Sequence, residues 1–194
     1  MKTENLESVA RKLVGPGRGI LAADESLPTI EKRLKSIGVA STEENRRAYR
    51  EILFTTASVG EFVSGVILFD ETIRQKTHDG RAFVEALEEQ GIIPGIKVDK
   101  GTKPMANFPA EKVTEGLDGL RERLAEYRQL GARFAKWRAV IGIGERGVSV
   151  AQKASERGIR RLQQHQVVDA RPHVRRVARE VQHDFAPLRA AADK

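Results

Sequence analysis

The sequence predicts an α/β protein whose parallel sheet is of the barrel type, and three observations support this fold class. Four apolar runs are spaced along residues 20–141, and helical segments alternate with them. The runs are almost continuously apolar, which is typical of parallel strands covered on both faces. Charged residues mark the ends of the runs, where TIM-type (βα) barrels place their chemistry. We therefore expect about the first four strand–helix units of such a barrel, which is incomplete because a full barrel has eight units.

A helix is predicted over residues 4–14, before the first strand. A glycine-rich turn over 15–19 follows and precedes the first strand, 20–23. A dinucleotide-binding loop would instead follow a strand, so this segment is interpreted as a turn. The next helix is predicted over 30–37.

Ser41 and Glu44 have the spacing of a capping box. We therefore expect Ser41 to cap a helix that runs to about residue 56. The later elements are predicted, in order, as a strand over 62–69, a helix around 80–90, a strand over 92–99, a helix over 110–130 and a strand over 132–141. The helix over 110–130 rests on leucines at helical spacing, among them Leu117, Leu120 and Leu124.

Composition narrows the class of protein. Hydrophobic residues make up 40% of the chain and charged residues 31%, as in soluble globular proteins. No apolar stretch approaches the ~18 residues of a membrane span, so no membrane partner is expected. The chain contains no cysteine, which excludes disulfides and thiol catalysis. The polar N-terminus lacks the pattern of a secretory signal, and we expect a cytoplasmic location.

Charge divides the chain into two predicted regions. Residues 151–194 hold 10 of the 34 Lys and Arg but only 5 of the 27 Asp and Glu, a net charge of +5. We predict a partial barrel over 1–145 and a basic tail over 146–194, either disordered or helical. The tail has one aromatic residue, Phe185, and no known nucleic-acid module, so no nucleic-acid partner is expected. Its histidines lack the spacing of a metal pair, and no metal site is expected.

The strand ends predict a cationic pocket. Side chains alternate along a strand, so Lys97 and Asp99 share one face, as do Lys136 and Arg138. A single charged residue at a strand end is more often solvated or in a structural ion pair. Several strand ends with the same signal favour a site, and lysines beside Asp24 and Asp99 would suit an anionic substrate such as a phosphate.

Six segments resemble class I fructose-bisphosphate aldolases, in family order and near family spacing. They are GILAADES at 19–26, TEENRR at 42–47, GVILFDET at 65–72, GIKVDKG at 95–101, GLDGL at 116–120 and FAKWR at 134–138. The resemblance implies a lyase that cleaves fructose 1,6-bisphosphate to dihydroxyacetone phosphate and glyceraldehyde 3-phosphate in glycolysis and gluconeogenesis. It also implies a lysine Schiff base, with no metal and no other cofactor.

The resemblance assigns roles residue by residue. Asp24 would orient a neighbouring lysine and the substrate hydroxyls, and Lys136 would lie beside the Schiff-base amine as a second catalytic residue. The implied substrate-binding residues are Thr29, Arg33, Arg46, Lys97 and Arg138. A sugar bisphosphate is the implied partner.

Two family motifs do not occur in the sequence: the Val-Glu-Pro-Glu strand that transfers protons and the Leu-Lys-Pro-Asn segment whose lysine forms the Schiff base. Three interpretations follow, namely an aldolase, an inactive truncated or frameshifted aldolase fragment, and an interaction protein that uses its basic tail. We expect the isolated chain to be inactive. We also expect it to self-associate as a homo-oligomer, because a half barrel leaves strand edges unpaired.

Overall fold

The computed structural model describes residues 5–140, so the predicted basic tail and its histidines lie outside the described residues. The helices are α1 (Leu6–Leu13), α2 (Leu27–Lys35), α3 (Glu43–Thr55), α4 (Val59–Phe62), α5 (Asp70–Ile73), α6 (Phe83–Glu88) and α7 (Leu120–Gln129). The strands are β1 (Gly19–Ala23), β2 (Val63–Leu68), β3 (Ile93–Lys97), β4 (Thr102–Met105), β5 (Phe108–Thr114) and β6 (Phe134–Lys136). Within residues 5–140, none of these helices is long and apolar enough to cross a lipid bilayer.

Four strands form the parallel sheet that the sequence predicts, in the order β1-β2-β3-β6. Ala23 pairs with Leu68 at the carboxyl ends of β1 and β2, and Lys97 pairs with Lys136 at those of β3 and β6. Since all four strands run the same way, the residues that follow them meet at one edge of the sheet. The predicted strand–helix alternation is confirmed.

The larger hydrophobic cluster lies between the sheet and its covering helices. Phe54 of α3 and Phe83 of α6 meet edge to face with ring centroids 5.2 Å apart, and both are fully buried. Leu68 and Ile96 contribute from the sheet. All six residues of β2 are buried, which explains why its sequence is an unbroken run of small and apolar residues.

A smaller cluster fills the other face of the sheet near the amino ends of the strands. Val9 and Leu13 of α1 pack there with Ile67 and Phe134. The hydroxyl of Ser64 donates to the carbonyls of Leu13 and Gly19 and ties α1 to the sheet. This face is therefore closed at the amino ends of the strands.

The predicted cap of α3 is wrong by one residue. Thr42, not Ser41, is the N-cap, because its hydroxyl accepts a hydrogen bond of 3.1 Å from the backbone N–H of Asn45. The Ser41 carbonyl instead accepts from the Arg46 side chain at 2.6 Å. With Thr42 as the cap, the third helical residue is Asn45, so the reciprocal contact expected from Glu44 does not form.

The helix predicted over 110–130 is wrong in its first half. The second strand of an antiparallel hairpin, β5, extends into this range as far as Thr114, and only Leu120–Gln129 is helical. The hairpin reverses at Ala106 and Asn107, and Asn107 has a φ of 64°. Asparagine tolerates this left-handed conformation better than other residues with a Cβ, so it marks the turn.

Candidate active site

A lysine–aspartate pair bridges the two outer strands of the sheet. Asp24 follows β1 directly and Lys136 ends β6, and the Lys136 Nζ donates to Asp24 Oδ2 at 2.5 Å. The Asp24 side chain is 9% exposed and the Lys136 side chain 31% exposed. A buried carboxylate requires such a partner, because an unpaired charge is costly to bury.

A second lysine–aspartate pair lies at the carboxyl end of β3, where Lys97 is the last residue of the strand and Asp99 follows it. Lys97 Nζ donates to Asp99 Oδ1 at 2.9 Å and to the Asp99 carbonyl at 2.5 Å. This contact confirms that the two side chains share a face. Asp99 Oδ1 also accepts from the Gly101 N–H at 3.2 Å. The other oxygen, Oδ2, is buried and has no hydrogen-bond partner among the described residues.

The loop after β1 carries a third ionic cluster, centred on Glu25. Its carboxylate pairs with Arg33 of α2 at 2.6 Å and with Arg50 of α3. Burial lowers the pKa of Arg33, but the charge of Glu25 and the contacts with Tyr49 outweigh that effect and raise it. Arg33 is therefore held as a cation beside the loop that contains Asp24.

A cleft of about 880 Å³ opens at the carboxyl ends of the strands, and both lysine–aspartate pairs, Glu25 and Arg33 line it. Its cationic lining residues are Arg33, Arg74, Lys97, Lys100, Arg123, Lys136 and Arg138. Its acidic lining residues are Asp24, Glu25, Asp70, Asp99 and Glu126. With seven cations against five carboxylates, the lining has a net positive charge and favours an anionic ligand.

Six of the seven predicted site residues line this cleft, and the structure brings them together. They are Asp24, Thr29, Arg33, Lys97, Lys136 and Arg138. Arg46 is not among the lining residues: its guanidinium pairs with Glu71 at 2.5 Å and donates to the Ser41 carbonyl. The role implied for Arg46 stays a prediction.

Sequence reasoning did not find the wall of the cleft that α5 and α7 contribute. Arg74 donates to Asp70 at 2.9 Å and to Glu126 at 2.6 Å, and so joins the two helices. The Tyr127 hydroxyl donates to Asp70 Oδ1 at 3.0 Å. Burial, and then this hydrogen bond, raise the pKa of Tyr127, so it is a neutral donor at physiological pH.

Arg123 of α7 also belongs to this wall of the cleft. It donates to the carbonyls of Val98 and Gly116 at 3.1 and 2.5 Å. Its spacing of four residues from Tyr127 on one helix was a usable signal, because residues i and i+4 lie on the same helix face. The buried pair of Glu25 and Arg50 had no comparable signal, since the two residues are 25 positions apart.

These features define a class of protein: an α/β protein with parallel strands whose carboxyl ends surround an anion-binding cleft. Comparison with known proteins makes the class specific. The sequence model of the family "Fructose-bisphosphate aldolase class-I" matches residues 5–168. The chain therefore belongs to the class I fructose-bisphosphate aldolase family.

Individual relatives agree with that assignment. The chain is 62% identical over 145 residues to a probable fructose-bisphosphate aldolase class 1 of Xanthomonas campestris pv. campestris, covering 75% of this chain and 43% of the relative. It is 55% identical over 148 residues to fructose-bisphosphate aldolase 1 of Caenorhabditis elegans, covering 76% of this chain and 40% of the relative. The chain thus spans less than half the length of these curated relatives.

A solved structure supports the fold. The chain resembles the fructose-bisphosphate aldolase of Plasmodium falciparum, solved in a ternary complex with TRAP and a small-molecule inhibitor. The TM-score is 0.71 and the identity 52%, covering 73% of this chain and 41% of that chain. The predicted fold class, a partial parallel barrel of the TIM type, is confirmed.

Proposed function

We propose that this chain supplies part of the active site for the reaction of its family, the cleavage of fructose 1,6-bisphosphate to dihydroxyacetone phosphate and glyceraldehyde 3-phosphate. One observation carries the proposal: a cleft with a net positive lining lies at the carboxyl ends of the parallel strands, and the Asp24–Lys136 pair lies within it. Because the chain spans less than half the length of its relatives, the activity comes to it by inference.

Asp24 and Lys136 are the proposed catalytic residues of the described part. A carboxylate that is almost fully buried can accept hydrogen bonds from substrate hydroxyls, and the adjacent ammonium balances its charge. The 31% exposure of Lys136 lets its ammonium also reach a ligand in the cleft. The pair can therefore orient a sugar and stabilise negative charge that develops on an oxygen.

Thr29, Arg33, Lys97 and Arg138 are the proposed substrate-binding residues. Arg33 is on α2, Lys97 ends β3, and Arg138 follows β6, so three elements contribute cations to the cleft. Several cations in one cleft suit a ligand that carries phosphate groups. Arg46 belongs to the proposal only through the resemblance, because its guanidinium is already paired with Glu71.

Borohydride trapping tests the proposal. The purified chain is incubated with fructose 1,6-bisphosphate, reduced, and examined by intact mass and peptide mapping. The family's Schiff-base lysine lies in a Leu-Lys-Pro-Asn segment that the sequence does not contain. We therefore expect the 194-residue chain to bind the ligand without a covalent adduct.

An adduct would show that a lysine of this chain acts as the nucleophile, and peptide mapping would identify it. A chain with neither an adduct nor any affinity for the ligand would contradict the proposed function. Lys35→Met serves as the control for nonspecific contacts, because Lys35 is exposed on α2 and outside the cleft.

Self-association is the second part of the proposal. Within the described residues, β1 pairs only with β2 and β6 only with β3, so each has one unpaired edge. Unpaired edges of parallel strands favour association with another chain. We expect light scattering to show an oligomer, and a monodisperse monomer would contradict this part. The cytoplasmic location stays a prediction from the sequence.

A further inference from the structure

The Glu25 carboxylate forms ion pairs with two guanidinium groups that differ sharply in exposure. Arg50 binds Oε2 from the buried side, where its side chain is 3% exposed. Arg33 binds Oε1 at 2.6 Å from the cleft side, where its side chain is 56% exposed. The Glu25 side chain is 7% exposed, so solvent contributes little to its stabilisation. A single carboxylate thus shares its charge between one buried and one exposed cation.

Arg50 is fixed in place by contacts beyond the ion pair. It donates to the Glu25 carbonyl at 3.3 Å and to the Thr72 hydroxyl at 3.5 Å. The Tyr49 ring lies under its guanidinium, 5.2 Å from centroid to carbon, within the range of a cation–π contact. Arg50 therefore cannot turn toward the cleft and bind a ligand itself.

The balance of charge among Glu25, Arg33 and Arg50 determines whether Arg33 can bind an anion. If Arg33 were the only cation beside Glu25, the two would form a neutral pair, and an incoming anion would have to compete with a buried carboxylate. Arg50 neutralises that carboxylate from behind, so one positive charge of the three-residue cluster remains on the cleft side. Interactions between buried charges are poorly screened, so this balance affects the cleft strongly.

We propose that Arg50 is a positioning residue of the anion site: by neutralising Glu25 from the buried side, it leaves Arg33 available to bind a phosphate group. This inference rests on the proposed function, since it concerns how the same cleft binds its ligand. It assigns to α3 a role in ligand binding, although α3 contributes no side chain to the cleft lining.

A double-mutant cycle on phosphate binding tests the inference. The variants Arg50→Met, Arg50→Met with Glu25→Gln, and Arg50→Lys are titrated with inorganic phosphate by calorimetry. Arg50→Met should weaken phosphate binding about tenfold, because Glu25 then competes for Arg33 with a full charge-assisted hydrogen bond. Adding Glu25→Gln removes the competitor and should restore affinity to within about threefold of the wild type. Arg50→Lys keeps the charge and should fall between the wild type and Arg50→Met.

Restored phosphate affinity in the double variant distinguishes the positioning role of Arg50 from a purely structural role. If Arg50 only supported the fold, the second substitution would add damage, and the double variant would bind no better than Arg50→Met; that result overturns the inference. Unchanged affinity in Arg50→Met, with binding lost in Arg33→Met, overturns it too but leaves the proposed function intact. A wild-type chain that binds neither phosphate nor fructose 1,6-bisphosphate contradicts both.

Discussion

Lys136 Nζ lies 2.5 Å from Asp24 Oδ2, although the two residues end the outermost strands of a four-stranded sheet. Three strand spacings in a flat sheet amount to about 14 Å, and side chains stand roughly perpendicular to the sheet. The pair can form only because the sheet curls, as strands of a barrel do. Curvature therefore turns a linear row of strand ends into a cleft.

The first prediction concerns that pair as a structural link. Asp24→Asn and Lys136→Met should each lower the free energy of unfolding, because each leaves a partly buried partner without its counter-ion. The double variant should lose less than the sum of the two, with a coupling of about 1–3 kcal/mol. Urea unfolding measures all four chains. Strict additivity would show that the contact does not form in solution.

The second prediction separates the two arginines that the resemblance assigns to the phosphate region. Arg33 lines the cleft, whereas Arg46 pairs with Glu71 and lies outside the lining. Arg33→Met should weaken phosphate binding about tenfold with little change in stability, since its side chain is more than half exposed. Arg46→Met should lower stability and leave binding nearly unchanged. Equal losses of affinity would support the sequence-based assignment of Arg46.

The third prediction concerns packing between β3 and β6, on the face of the sheet that α1 covers. Gly95 of β3 lies against the Phe134 ring of β6, and a Cβ at this position would overlap the ring. Phe134 is buried and cannot move aside without disturbing Leu13 and Ile67. Gly95→Ala should therefore cost about 1–3 kcal/mol of unfolding free energy. The control is Gly15→Ala, whose Cβ would meet nothing closer than 3.5 Å; equal effects would contradict the packing.

The fourth prediction concerns pH. Burial raises the pKa of both tyrosines; the charge of Glu25 adds to this for Tyr49, and the bond to Asp70 for Tyr127. The folded state thus holds both phenolic protons more tightly than the unfolded state does. The resulting stabilisation is fully present below the unfolded pKa of about 10 and is lost as pH rises through the folded values.

Phenolate absorbance measures this directly, because the chain has only two tyrosines. Both tyrosines should ionise above the midpoint of free tyrosine. Urea unfolding should show lower stability at pH 11 than at pH 9, which are roughly one unit above and below the pKa of free tyrosine. Tyr127→Phe should leave one raised transition. A midpoint at or below that of free tyrosine would contradict the burial of both rings.

Local patterns predicted the four parallel strands because each is a short apolar run with a charged residue near its carboxyl end. The same reasoning placed Asp24, Lys97 and Lys136 at one edge, and the structure brings them to one cleft. Alternation along the strand predicted over 92–99 placed Lys97 and Asp99 on one face, and in the structure the two side chains form an ion pair.

The sequence was less informative where distant segments decide the structure. The helix predicted over 110–130 began too early because leucine spacing was extended back over the end of β5, whose strand structure depends on pairing with β4 upstream. The ionic cluster of Glu25, Arg33 and Arg50 joins three elements, and no spacing along the chain encodes it. The pairing of Arg46 with Glu71 was missed for the same reason.

Titration of the chain with fructose 1,6-bisphosphate tests the central claim most directly, that the cleft at the carboxyl ends of the strands binds the sugar bisphosphate. The wild type, Lys136→Met and Lys35→Met are compared by calorimetry. The predicted result is saturable binding by the wild type and Lys35→Met, and affinity lower by about tenfold or more in Lys136→Met. Equal affinity of all three chains, or no binding by the wild type, would contradict the claim.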